Sequence, residues 1–67
     1  SYTHTQTSAS NTWTINHNLG KFPSVSIKFS TGADFNNTGA LGGVTYTNEN
    51  TLTINLAAAE SGVAYLN

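Results

Sequence analysis

Five side chains in this sequence have the chemistry to titrate near neutrality or to ligate a metal: Asp34, Glu49, Glu60, His4 and His17. General acid–base catalysis needs two such groups within hydrogen-bond reach of one substrate. Here the three carboxylates fall on three separate predicted connections between strands, and only a meeting of two of them at one end of a sandwich would make a pair. There is no cysteine, so neither a thiolate nucleophile nor a cysteine metal cage exists. No nucleophile elbow, phosphate-binding glycine loop or metalloprotease signature occurs. The residues therefore predict no catalytic site, no enzyme activity and no cofactor. His4 and His17 stand thirteen positions apart, and two imidazoles do not make a metal site. A weak metal candidate survives at His4, whose copies would have to meet on a symmetry axis to complete a ligand set. Its plainer role is a surface or interface imidazole bonded to nearby backbone. His17, at the end of the Trp13–Ile15 face, reads as a core-edge histidine that holds the following turn.

Binding chemistry is better represented. Asp34-Phe35-Asn36-Asn37 sets an aromatic ring beside three hydrogen-bonding side chains on a glycine-rich connection, and is the leading ligand-contact candidate, the alternative being a solvated loop tip with Phe35 tucked inward. Tyr2, Tyr46 and Tyr65 share the choice between core and stacking surface, and Tyr2, in the most polar segment, is the one of the three most expected to be exposed. Trp13 has the face that sugar rings stack on, yet its alternation with Ile15 assigns it to the core. Asn36-Asn37-Thr38 fits the glycan-acceptor pattern, which matters only in a eukaryotic secretory setting.

The elements that must position these residues follow a period of two. Trp13, Ile15 and His17 alternate with small polar residues. So do Val25, Ile27 and Phe29, then Val44 and Tyr46, then Leu52, Ile54 and Leu56. This is the pattern of half-buried antiparallel strands, one face inward and one wet. Tyr2–Thr7 reads as a strand with no strongly buried face, as at a sheet edge. Gly62–Leu66, apolar on both faces, reads as a central strand. Asn18–Pro23 and Asn48–Asn50 are turns. Gly20 supplies a positive φ in the first, and Asn the left-handed conformation in the second. Ala57–Glu60 has helix propensity but is too short for more than a turn. Ser30–Gly43 is a long connection with four glycines. The expectation is an all-β fold: a compact antiparallel β-sandwich, or small open barrel, of about six short strands.

Length and composition narrow the function. Sixty-seven residues make one domain, 1–67, and chains this short bury too little surface for comfort. Without a disulfide, such scaffolds commonly gain stability by oligomerising or packing on a neighbour. The chain begins at Ser1 without Met, which suggests a processed product or a piece of a longer protein. Only 7% of residues are charged, and eleven Thr, nine Asn and seven Ser supply the polar surface instead. With Lys21 and Lys28 as the only full cations, there is no nucleic-acid footprint. No apolar run approaches the length of a membrane-spanning helix.

Several segments, in order, resemble a small β domain of phage tail fibres, tail spikes and baseplate-associated virion proteins, often found at a C-terminus. They are Tyr2-Thr3-His4-Thr5-Gln6, Trp13-Thr14-Ile15-Asn16-His17-Asn18-Leu19-Gly20 with Pro23, and Val44-Thr45-Tyr46. Asn50-Thr51-Leu52-Thr53-Ile54 and Ala57–Glu60 running into Ser61-Gly62-Val63-Ala64-Tyr65-Leu66-Asn67 complete the likeness. The resemblance implies a virion module, usually trimeric or arrayed, that caps a fibre or presents a host-facing surface. It carries no catalytic residues. Its implied partners are other virion proteins, a host surface glycan or protein, and copies of itself, with a trimer preferred. The Ser30–Gly43 connection departs from the pattern by its length. Two other roles fit the same residues: a purely structural decoration, collar or trimerisation module, and a carbohydrate-binding module of a secreted bacterial protein.

Overall fold

The computed structural model describes residues 1–32 and 43–67. They form four antiparallel strands and no helix: β1 (Tyr2–Asn16), β2 (Val25–Phe29), β3 (Gly43–Asn48) and β4 (Thr51–Leu66). The strand β4 is the hub. It pairs with β1 along one side and, on the other, with β2 through its C-terminal half and β3 through its N-terminal half. The central position predicted for Gly62–Leu66 is thus found and β1 lies at the edge, but the burial on both faces expected of Gly62–Leu66 is not: Tyr65 is 51% exposed, because the face opposite Ala64 and Leu66 is turned to solvent.

The two long strands each contain two of the period-two segments, so four strands account for what the sequence pattern divides into six. The registers explain how. Tyr2–Gln6 pairs with Gly62–Leu66 and Thr12–Asn16 with Thr51–Asn55, and the register shifts between Gln6 and Ser10 and again between Ser10 and Thr12. Such irregularities bend a ladder without ending it. The bend is sharp. His4 and Trp13 would lie about 30 Å apart along a straight strand, yet their ring centroids are 5.9 Å apart. The small residues Ala57, Ala58 and Ala59 form the corresponding corner of β4, and their helix propensity is overridden by pairing on both sides of the corner.

Folding the sheet back on itself makes the core. Trp13, Ile15, Leu52, Ile54 and Leu56 from one half meet Ile27, Ala64 and Leu66 from the other, all buried, with Leu19, Val25, Phe29 and Val44 packed around them. The inward positions are the alternating ones, so sequence period sets the buried face directly. The Trp13 indole spans the joint. It stacks edge-on against Phe29 at 6.2 Å, and its Nε1 donates to both Ser10 O (3.0 Å) and Glu60 O (3.2 Å), tying together the corners of β1 and β4.

Candidate functional site

At one end of the molecule the turn after β1 is bound to the β3–β4 hairpin. His17 and Asn18 donate their backbone N–H groups to Asn50 O, and Lys21 N donates to Glu49 O. Gly20 N donates to Asn50 Oδ1 at 3.0 Å, and Leu19 N to Nδ1 of the buried His17 at 3.1 Å. The accepting role of Nδ1 places the ring proton on Nε2, which is buried with no hydrogen-bond partner among the described residues. The expectation that His17 holds this turn is met. Positive φ at Asn18 (55°) and Gly20 (66°) lets the chain reverse in so few residues. The hairpin itself turns differently from expectation. Among the described residues Asn18 alone of the non-glycines has positive φ, and the Asn48–Thr51 reversal is closed by Asn48 Oδ1 accepting from Asn50 N at 2.8 Å.

This framework holds up two aromatic rings. Phe22 is 61% exposed and Tyr46 41% exposed. Their centroids are 5.6 Å apart and their planes nearly perpendicular, an edge-to-face pair. The Tyr46 hydroxyl donates to Pro23 O at 2.6 Å, so the tyrosine is anchored from below while its ring edge stays open. Asn18, Lys21, Asn48 and Glu49 are exposed nearby on the same turn and hairpin. The result is a rigid apolar platform with amide and charged groups at its rim. Rigid aromatic anchors lose little entropy on binding and dominate recognition surfaces.

The sequence candidates fall elsewhere. Asp34, Phe35, Asn36 and Asn37 lie outside the described residues. Tyr2 is at the start of the edge strand and, at 36%, is the least exposed of the three tyrosines, with Tyr65 at 51%. Tyr2 is exposed as expected, but less so than Tyr46 and Tyr65; it is in register with the buried Leu66, and Tyr65 with the exposed Thr3. His4 is half-buried on the inward face, opposite Ala64 and against Trp13, and its Nε2 is 2.8 Å from Gln6 Oε1. No group of three or more metal-ligating side chains occurs among the described residues.

Phe22 is what sequence reasoning missed: an apolar residue beside a proline reads as part of a turn. The available signal was that Phe22 continues neither neighbouring alternation, so no strand face claims it. A second surface, the outer face of Thr12–Asn16, Thr45 and Thr51–Asn55, carries Thr and Asn side chains in register, with Thr51 Oγ1 donating to Asn16 Oδ1 at 2.8 Å. It is the solvated face of the sheet. No family model, no curated protein and no solved structure matches the chain.

Proposed function

We propose that the chain is a non-enzymatic phage virion module of tail-fibre or tail-spike type, and that it contacts the host surface through the Phe22–Tyr46 platform. The observation that carries this reading is the exposure of Phe22 on a turn fixed by five hydrogen bonds to β3 and the β3–β4 hairpin. Exposing a large apolar ring on a rigid frame costs solubility and gives no stability in return, which is the signature of a contact surface. The phage setting comes from the resemblance of Tyr2–Gln6, Trp13–Gly20 and the β3–β4 segments. We read the two facing halves of the bent sheet as the layers of a compact β-sandwich, whose ends display the turns. The ligand is a surface glycan or protein, and the module works within the virion beside its own copies or other virion proteins.

The test is binding of the labelled, folded chain to a panel of bacterial surfaces and to a glycan array. Replacing Phe22 by Ala removes exposed ring area and no core contact, so the expected result is retained folding with binding weakened about tenfold or more, the cost of losing one anchor. A folded wild-type chain that binds neither cells nor glycans overturns the attachment reading. Glycan binding without any cell binding moves the assignment to a carbohydrate-binding module. If F22A binds normally while Asp34→Ala with Phe35→Ala does not, the contact belongs to the Ser30–Gly43 connection instead.

A purely structural role has one observation in its favour, the uncharged outer edge of β1.

A further inference from the structure

Each strand that borders the sheet has one side with no ladder partner, and unpaired N–H and C=O groups there are a template for another chain. Among the described residues three strands are so placed: β1, β2 and β3 each pair with β4 alone. Two of them are guarded. The strand β2 is only five residues long, carries Lys28 on its exposed face and follows closely on Pro23. The strand β3 has six residues and a register irregularity between Tyr46 and Asn48. Short length, lysine, proline and bulges are the devices that keep edges from pairing.

The fifteen residues of β1 contain no Asp, Glu, Lys, Arg or Pro. Its corner does quiet itself. Ser10 Oγ accepts from Thr12 N and donates to Thr12 O, and Gln6 Nε2 donates to Ser8 O. The straight stretch Tyr2–Gln6 has no such protection. In an antiparallel ladder alternate residues aim their backbone groups away from the partner, so this stretch offers open donors and acceptors over its whole length. Its outward side chains, Thr3 and Thr5, are exposed, β-branched and neutral, well suited to cross-strand contact.

We infer that the outer edge of Tyr2–Gln6 pairs with the same edge of a second copy of this chain, antiparallel, across a two-fold axis. Neutrality selects this occupant. In an isologous antiparallel contact residue i faces residue j of the copy and j faces i; about an axis at His4, Thr3 faces Thr5 of the copy, two neutral β-branched side chains that suit each other, where charges of one sign would repel. A three-fold ring would instead require β1 to meet the β2 or β3 edge, and both are guarded. The inference does not depend on the Phe22–Tyr46 platform, which lies on a different part of the chain.

The test is molar mass by light scattering over a concentration series, with amide hydrogen exchange read at both ends. The expected mass rises from 7.1 kDa toward twice that value, with protection gained in residues 3–6 as concentration rises. Thr3→Lys with Thr5→Lys sets like charges across the axis while leaving the core untouched, and is expected to weaken association by at least about tenfold. Thr45→Lys on β3 is expected to leave it unchanged. A mass that stays at the monomer, a trimer mass, a dimer that survives T3K/T5K, or a dimer lost in T45K each overturns the proposal. Concentration-dependent exchange within residues 3–6 of the wild-type chain tests it even where the lysine variant does not fold.

Discussion

Trp13 shows how one side chain can serve burial and polar satisfaction at once. Its ring is fully buried, and its single N–H answers two carbonyls at the corners of β1 and β4. Trp13→Phe keeps an aromatic ring near Phe29 and His4 but removes the only donor. Leaving these half-buried acceptors unpaired costs about 1 kcal/mol, which in a domain this small lowers Tm by roughly 4–8 °C. Thermal denaturation followed by far-UV circular dichroism checks it, and an unchanged Tm would show that water satisfies those carbonyls instead. The burial of Trp13 was legible in its alternation with Ile15. The stapling was not, because Glu60 lies 47 residues away and nothing local pairs it with Ser10. The same limit hid Phe22. Its exposure depends on the β3–β4 hairpin pinning the turn from a distance, while His17, whose Nδ1 partner is two residues on, could be assigned from its own neighbourhood.

At the scale of elements, inward-facing residues were readable because strand period alone decides them. Strand ends were not. The stretches Thr7–Asn11 and Ala57–Ser61 are small and polar or helix-prone, so they look like connections, yet both continue the ladder around a corner. What distinguishes a corner from a break is the pairing partner, and that is a property of two distant segments together. Gly62, just past the corner of β4, marks how close the strands come. A Cβ there would press on Lys28 O and lie 2.8 Å from Phe29 Cα and 3.2 Å from Lys28 C, all backbone of β2, and the φ of 158° adds to the difficulty. Since backbone cannot rotate away as a side chain can, Gly62→Ala is expected to cost about 1–3 kcal/mol, as overpacking does. The loss should be shared. In hydrogen exchange, the most protected amides of Val25–Phe29 and of Gly43–Asn48 should lose the same opening free energy, because one core spans both halves. A loss confined to Val25–Phe29 would mean that the strain opens β2 alone.

Whole-molecule behaviour follows from every strand pairing with β4. Its N-terminal half holds β3 and its C-terminal half holds β2, so the sheet could in principle come apart as two three-stranded units. Two features oppose this. The same two long strands run through both units, and the core is shared, with Trp13 of one half packed on His4 and Phe29 of the other. Neither unit keeps a closed apolar core alone, since Ile27, Ala64 and Leu66 bury themselves against residues of the opposite half. A domain with so little core has no stable partial state to fall into. Unfolding is therefore expected to be all-or-none: Trp13 fluorescence and far-UV circular dichroism should give coincident denaturant transitions, the mark of two-state behaviour. The most protected amides of Thr51–Asn55 and of Gly62–Leu66 should exchange with the same free energy, that of global unfolding. Because β1 and β4 are first and last in the chain, their pairing closes the longest loops and should make folding slow for so short a protein. Separate transitions for the two probes, or a lower opening energy in one half of β4, would show that the bend is a hinge between two folding units and not a corner within one.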